Sequence, residues 1–222
     1  MQEPTMNVLV VGATGGSGRA VVDALLERGH RVTAFTRRAG AIAARPGLRV
    51  CEGDACVAAD VERAVAGHDA VVVALGIREN AALVRLRGSA HTPIDVRSVG
   101  TRHVIAAMQR HGVRDLVVQT TYGVGETHGR LPLKWRILFK LLLGPQIDDT
   151  RVQEAVVRES GLRWVLVQPV ALGDDDGAAQ TFASTEGDAR RMSIPRRNVG
   201  AFIAEAIEGG AYAGRSVALS TV

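Results

Sequence analysis

The sequence predicts an α/β fold, a single doubly wound parallel sheet with helices on both faces. Three observations carry the prediction. Residues 8–18 read VLVVGATGGSG, four apolar residues followed by glycines at positions 12, 15 and 18. Residues 70–75 (AVVVAL) are an uninterrupted apolar run, as a strand covered on both faces requires. Short β-type runs alternate with longer segments of helical period along the chain, the pattern of repeated βαβ units.

Taken in order, residues 8–11 read as a buried strand, and Val22, Leu25 and Leu26 start an apolar helical face that ends at Gly29. Residues 31–35 (RVTAF) and 48–52 (LRVCE) are the second and third strands, the latter closed by Gly53 and Asp54. A helix over 59–66 stops at Gly67, and the apolar run 70–75 follows as the fourth strand. Residues 77–91 form a long polar connection without period, a place where loops tend to be functional. Thr92 reads as the N-cap of the next helix, with Pro93 at its first position and Asp95 reaching back; it runs to His111 and stops at Gly112. Residues 116–120 (LVVQT) are the fifth strand.

Residues 121–144 are less regular. Trp135, Leu138, Leu141 and Leu142 make an apolar stripe opposite Lys134 and Lys140, with glycines at 123, 125, 129 and 144 around it. Two lysines are few for a membrane-touching helix, so the expectation is a hinged flap over the site. A separate helix over 149–160 stops at Gly161. Strand 163–168 (RWVLVQ), a loop rich in Asp and Gly, a short strand over 189–194, a helix over 199–208 and a closing strand over 216–220 complete the chain. All 222 residues read as one domain. Loops near 77–91, 121–147 and 169–190 should form its substrate side.

Hydrophobic residues are 46% and charged residues 23%, the balance of a globular protein. The opening MQEPTMN does not resemble a signal peptide, and the run 137–143 is too short to span a bilayer, so the expected location is cytoplasmic, without membrane partners. Cys51 and Cys56 have no zinc spacing and read as reduced thiols. The net charge of +4 comes nearly all from arginine, but aromatics are only 4% and no reading motif accompanies the charge, which argues against nucleic acid. A small molecule is the expected partner; monomer and homodimer stay open.

A strand, a glycine turn and a helix in that order make a pyrophosphate site, because backbone N–H groups face the anion and glycines let it approach. Gly12, Thr14, Gly15, Gly16, Ser17 and Gly18 are the residues of that turn. In a doubly wound sheet the ligand lies at the carboxyl ends of the strands. The end of the second strand reads Phe35-Thr36-Arg37-Arg38. An NAD site uses an acid there for the ribose 2′-hydroxyl, whereas two guanidinium groups suit a 2′-phosphate. The expected cofactor is therefore NADP(H), held at that end by Arg37 and Arg38.

GATGGSGR (12–19), GDA (53–55), ALG (74–76) and RESGLRWVLVQP (158–169) together resemble the atypical short-chain dehydrogenase/reductases. The likeness is to their NmrA-like NAD(P)H-binding group, and in particular to its flavin/biliverdin reductase branch. The resemblance implies a Rossmann fold in which Thr14, Gly15, Gly16 and Ser17 hold the pyrophosphate and Asp54 and Ala55 flank the adenine. It places Leu75, Gly76 and Arg78 on the ribose and phosphate side, and Thr120 and Pro169 at the nicotinamide. Asp54 serves equally as the cap of its own turn.

The departures bear on mechanism. The Tyr-x-x-x-Lys dyad of typical short-chain dehydrogenases has no match, since Tyr122 is followed by Glu126 and Tyr212 by Ser216 at that spacing. Thr150, with Arg151 beside it, stands where many atypical members have lysine. Hydride transfer needs mainly orientation, because the cofactor carries the chemistry. The expected activity is an NADPH-dependent oxidoreductase acting on a small planar acceptor such as a flavin, quinone or tetrapyrrole. Thr121 and Tyr122 are the best-placed hydroxyls to supply the proton, although Thr121 also suits a backbone contact and Tyr122 a packed position. His91 and His128 lie in loops on the same side. An NADP(H)-sensing binding protein without turnover and a non-redox biosynthetic enzyme are the alternatives.

Overall fold

The computed structural model of the chain describes residues 5–77, 92–131, 133–174 and 179–222; over 133–143 it describes the helical backbone and not the side chains. The elements are β1 (Asn7–Val11), α1 (Gly16–Glu27), β2 (Arg31–Thr36), β3 (Leu48–Glu52), α2 (Ala58–Val65) and β4 (Ala70–Val73). They continue with α3 (Val96–His111), β5 (Asp115–Gln119), α4 (Leu133–Arg158), β6 (Arg163–Pro169) and β7 (Ala171–Gly173). The last are β8 (Thr181–Ser184), β9 (Ser193–Pro195), α5 (Arg196–Gly209) and β10 (Arg215–Thr221).

The main sheet has the order β3-β2-β1-β4-β5-β6-β10-β8. Every pairing in it is parallel except β10 with β8. β7 and β9 form a separate parallel pair. The uninterrupted apolar strands follow from cover on both faces. Val8 and Val10 of β1 pack with Val21 and Leu25 of α1 and Phe202 and Ile203 of α5. Leu9 and Val11 point the other way, toward Val61 of α2, Val104 and Met108 of α3 and Val157 of α4. The direction of winding reverses between β1 and β4, and a crevice opens at that point beyond the strand ends.

Four expectations need correction. The sheet is not wholly parallel, because β8, read as loop, pairs antiparallel with β10 as an edge strand. β7 was also read as loop; at three residues it is too short to show a period. Helix α3 begins at Val96, and Thr92 is not its cap. Its first turn is capped from another helix: Asp149 of α4 accepts the N–H groups of Arg97 (3.1 Å) and Ser98 (3.2 Å). Finally, the helix expected at 149–160 begins at Leu133, with Pro145 inside it. Proline removes one backbone donor, but Gln146, Ile147, Asp149, Thr150 and Gln153 beyond it are all buried, and that packing carries the helix through.

Candidate functional site

The glycine turn is built by contact with β4. Gly12 has φ +91°, and a Cβ on it would stand 2.5 Å from the carbonyl oxygen of Ala74. Only glycine meets both conditions. The Gly15 N–H donates to the Gly12 carbonyl at 3.1 Å, and α1 then starts at Gly16. Among the described residues no side chain caps α1, and its first turn holds no acid, so its leading N–H groups face the cleft without a side-chain partner there. Gly18 does not face the crevice. A Cβ there would fall onto the Gly12 carbonyl, so its role is to let helix and turn close on each other.

The crevice is a cleft of about 750 Å³. Its walls include Gly12, Thr14, Gly15, Gly16 and Ser17 of the turn, Arg37 and Arg38 after β2, and Asp54 and Ala55 after β3. Leu75 and Gly76 after β4, and Thr120 and Thr121 after β5, complete the set of expected residues there. Five strand ends thus meet at one cleft. Arg37 donates to Thr92 Oγ1 at 3.1 Å, which ties the β2 end to the segment before α3. Asp54 caps its own turn, its Oδ1 accepting the Cys56 N–H at 2.9 Å, and the residue lines the cleft. Gly100 lets α3 approach this wall, since a Cβ there would stand 2.6 Å from Leu75 Cδ1 and 3.1 Å from Ala55 Cβ.

A second cavity of about 270 Å³ adjoins the first. Thr120, Thr121, Leu172 and Arg196 line both. Tyr122, Leu131, Pro169 and Met192 line only the smaller one, so Tyr122 and Pro169 sit on the far side of the junction from the turn. The Tyr122 hydroxyl donates to the Gly187 carbonyl at 3.0 Å. Burial, with Asp188 adding to it and Arg130 opposing, raises its pKa above the usual tyrosine value. The Thr121 hydroxyl has no hydrogen-bond partner among the described residues and is half-buried at the junction. His128 lies apart, its Nδ1 donating to the Gly123 carbonyl at 3.2 Å. Arg78 and His91 lie outside the described residues.

Strand ends do not account for all of the site. Arg97 in the first turn of α3 lines the cleft, with Nη1 buried and without a hydrogen-bond partner among the described residues. Burial lowers the pKa of this guanidinium, and the Asp149 carboxylate acts against that. Arg196, the first residue of α5, lies across Gly16 and pairs with Asp174. Glu154 of α4 has a buried carboxylate directly behind Thr120, accepting its hydroxyl at 2.8 Å. Inspection of the positions just after strands overlooks all three, because they reach the site from helices.

A family model described as NAD(P)H-binding matches residues 12–209. An uncharacterized chloroplastic protein of Arabidopsis thaliana is 28% identical over 210 residues, covering 91% of this chain and 72% of its own. The (4-alkanoyl-5-oxo-2,5-dihydrofuran-3-yl)methyl phosphate reductase of Streptomyces griseus is 28% identical over 226 residues, 96% of this chain and 67% of its own. Other relatives are matched over less: the chain spans 35% of the sterol demethylase protein B of Methylococcus capsulatus. Among solved structures, a short-chain dehydrogenase/reductase of Veillonella parvula in complex with NADP superposes with a TM-score of 0.79 at 16% identity, over 98% of this chain and 95% of its own. The anaerobilin reductase ChuY of Escherichia coli O157:H7 gives 0.76 at 21% identity, over 96% of each chain. At these identities the structural likeness speaks for the fold.

Proposed function

The chain belongs to the NAD(P)H-binding family, and we propose that it is an NADPH-dependent oxidoreductase which passes hydride to a small planar acceptor of flavin, quinone or tetrapyrrole type. One observation carries the reading. The cleft that begins at an uncapped glycine turn and two arginines ends against a second cavity, with Thr120 and Thr121 at the junction. A dinucleotide with its phosphates at the turn and its 2′-phosphate at Arg37 and Arg38 would present its nicotinamide at that junction, and an acceptor would enter from the smaller cavity. The reductase of Streptomyces griseus, matched over 96% of this chain, supports the reaction class.

When bound, the cofactor supplies the hydride. The chain's own residues do the rest. The α1 N-terminus and glycine turn bind the pyrophosphate, and Arg37 and Arg38 select the 2′-phosphate. The acceptor gains two electrons with the hydride and one proton separately. Thr121, whose hydroxyl is uncommitted among the described residues at the junction, delivers that proton from solvent. Tyr122 shapes the acceptor cavity, since its hydrogen is already given to Gly187.

The test is turnover. Purified protein is mixed with NADPH and a panel of flavins, quinones and biliverdins, and the near-ultraviolet absorbance of the reduced nicotinamide is followed. Loss of that band with at least one acceptor is expected. Tight NADPH binding with no oxidation by any acceptor would overturn the enzyme reading in favour of a sensing role.

A further inference from the structure

Thr120 stands where the two cavities meet, and its hydrogen bonding is settled from behind. The Glu154 side chain is 1% exposed. Its Oε1 receives Thr120 Oγ1 at 2.8 Å and Gln168 Nε2 at 2.9 Å, and its Oε2 receives Arg158 Nη2 at 3.1 Å. Two of these partners are obligate donors, and Arg158 is a cation, so the carboxylate is ionised and carries no hydrogen of its own. The Thr120 hydroxyl must then be the donor in its pair with Glu154. Its single hydrogen points inward, and toward the cleft it retains only lone pairs. The backbone is built closely around this carboxylate: Gly125 has φ +55°, and a Cβ there would fall onto Glu154 Oε2.

We propose that Glu154 is a positioning residue that makes Thr120 a hydrogen-bond acceptor only, so that the junction selects a ring presenting an N–H group. The inference rests on the reading of this junction as the place of hydride transfer. Two sources offer that chemistry: the carboxamide of the nicotinamide, and the imide or pyrrole N–H of the acceptor. A ring offering only a carbonyl at this point meets lone pairs on both sides and loses a hydrogen bond.

The E154Q substitution has a distinctive consequence. Arg158 still requires an acceptor, so the new amide turns its oxygen to Arg158 and its NH2 to Thr120 and Gln168. Gln168 accommodates this by turning its own amide, because its Oε1 is buried without a partner among the described residues; the turn gives up the 3.3 Å bond from its Nε2 to the Val124 carbonyl. Thr120 then accepts from the new NH2, and its hydrogen is free to point into the cleft. The polarity of the junction reverses while shape and volume stay the same.

The experiment compares pairs of ligands that differ by one N–H. NADP+ is titrated against its 3-acetylpyridine analogue, and riboflavin against 3-methylriboflavin, into wild type, E154Q, T120V and T120S. Wild type should favour the N–H member of one pair by about two- to tenfold, and that pair identifies the source. The ratio should persist in T120S, fall to about one in T120V, and fall to one or invert in E154Q. A ratio is insensitive to a general loss of stability, and T120V tests the idea even where E154Q folds poorly. Equal binding within both pairs by wild type, or a ratio that survives T120V and E154Q, would overturn the proposal. Failure of wild type to bind any of the four ligands would instead remove the reading of the junction on which it rests.

Discussion

Three hydroxyls follow β5, and their partners divide the work among them. Thr120 donates to Glu154, Tyr122 donates to Gly187, and Thr121 is uncommitted among the described residues. T121V is accordingly expected to lower turnover by at least about tenfold with unchanged NADPH affinity. Y122F should leave turnover within about twofold and cost about 1 kcal/mol of stability for the lost hydrogen bond. Steady-state kinetics and thermal unfolding of the two variants check both, and a larger rate loss in Y122F would transfer the proton donor to Tyr122. His68 gives a separate test by pH. Its Nδ1 donates to the Val65 carbonyl and its Nε2 shares a hydrogen bond of 2.8 Å with Thr33 Oγ1, so both ring nitrogens are partnered inside the fold. Burial lowers its pKa from 6.5, with the Arg49 charge helping and the Val65 contact opposing. The unfolded chain then takes up a proton first as pH falls, so stability from this residue is full above the ordinary value and lost below it. H68Q should flatten the fall of the unfolding midpoint between about pH 7 and 5; an unchanged slope would contradict the assignment. The turn residues were legible in the sequence because they follow a strand with recognisable glycine spacing. Arg97, Glu154 and Arg196 were not, because their relation to the site depends on how three helices pack.

The helices also fix the site's geometry. Gly200 of α5 sits against the backbone of α1, where a Cβ would overlap the Ala20 carbonyl, and this contact sets Arg196 over Gly16. A G200V substitution would push the two helices apart. It should cost about 1–3 kcal/mol of stability and weaken both NADPH and NADH, since it displaces the turn and leaves the 2′-phosphate end alone. Calorimetry and titration check this; loss of NADPH affinity alone would contradict it. Strands with continuous apolar runs were the most legible elements, for burial on both faces leaves little choice of residue. Helix boundaries were less so. The cap of α3 comes from Asp149, more than fifty positions along the chain from the first turn it caps, and no local pattern records it. The segment read as a flap enters α4 at Leu133, and its apolar stripe falls on side chains outside the described residues.

At the scale of the whole molecule, the reversal of winding between β1 and β4 gathers five strand ends around one cleft. Among the described residues no helix is long and apolar enough to cross a membrane. The pairing of strands was legible from their alternation with helices, whereas the antiparallel edge β8 was hidden by its short, half-buried sequence. The cleft's charge has one feature that bears on the proposed function: the β2 end lines the cleft with Arg37 and Arg38, the residues we propose for a 2′-phosphate, with Glu52 turned to the Ala39 N–H at 2.9 Å. A charge-assisted bond contributes roughly 1.5–3 kcal/mol, so NADPH should bind about ten- to a thousandfold more tightly than NADH. The decisive measurement is titration of both dinucleotides into wild type and R37A. The account predicts a strong NADPH preference in wild type, reduced in R37A through weaker NADPH binding with NADH nearly unchanged; equal affinity of the wild type for NADH and NADPH would contradict it.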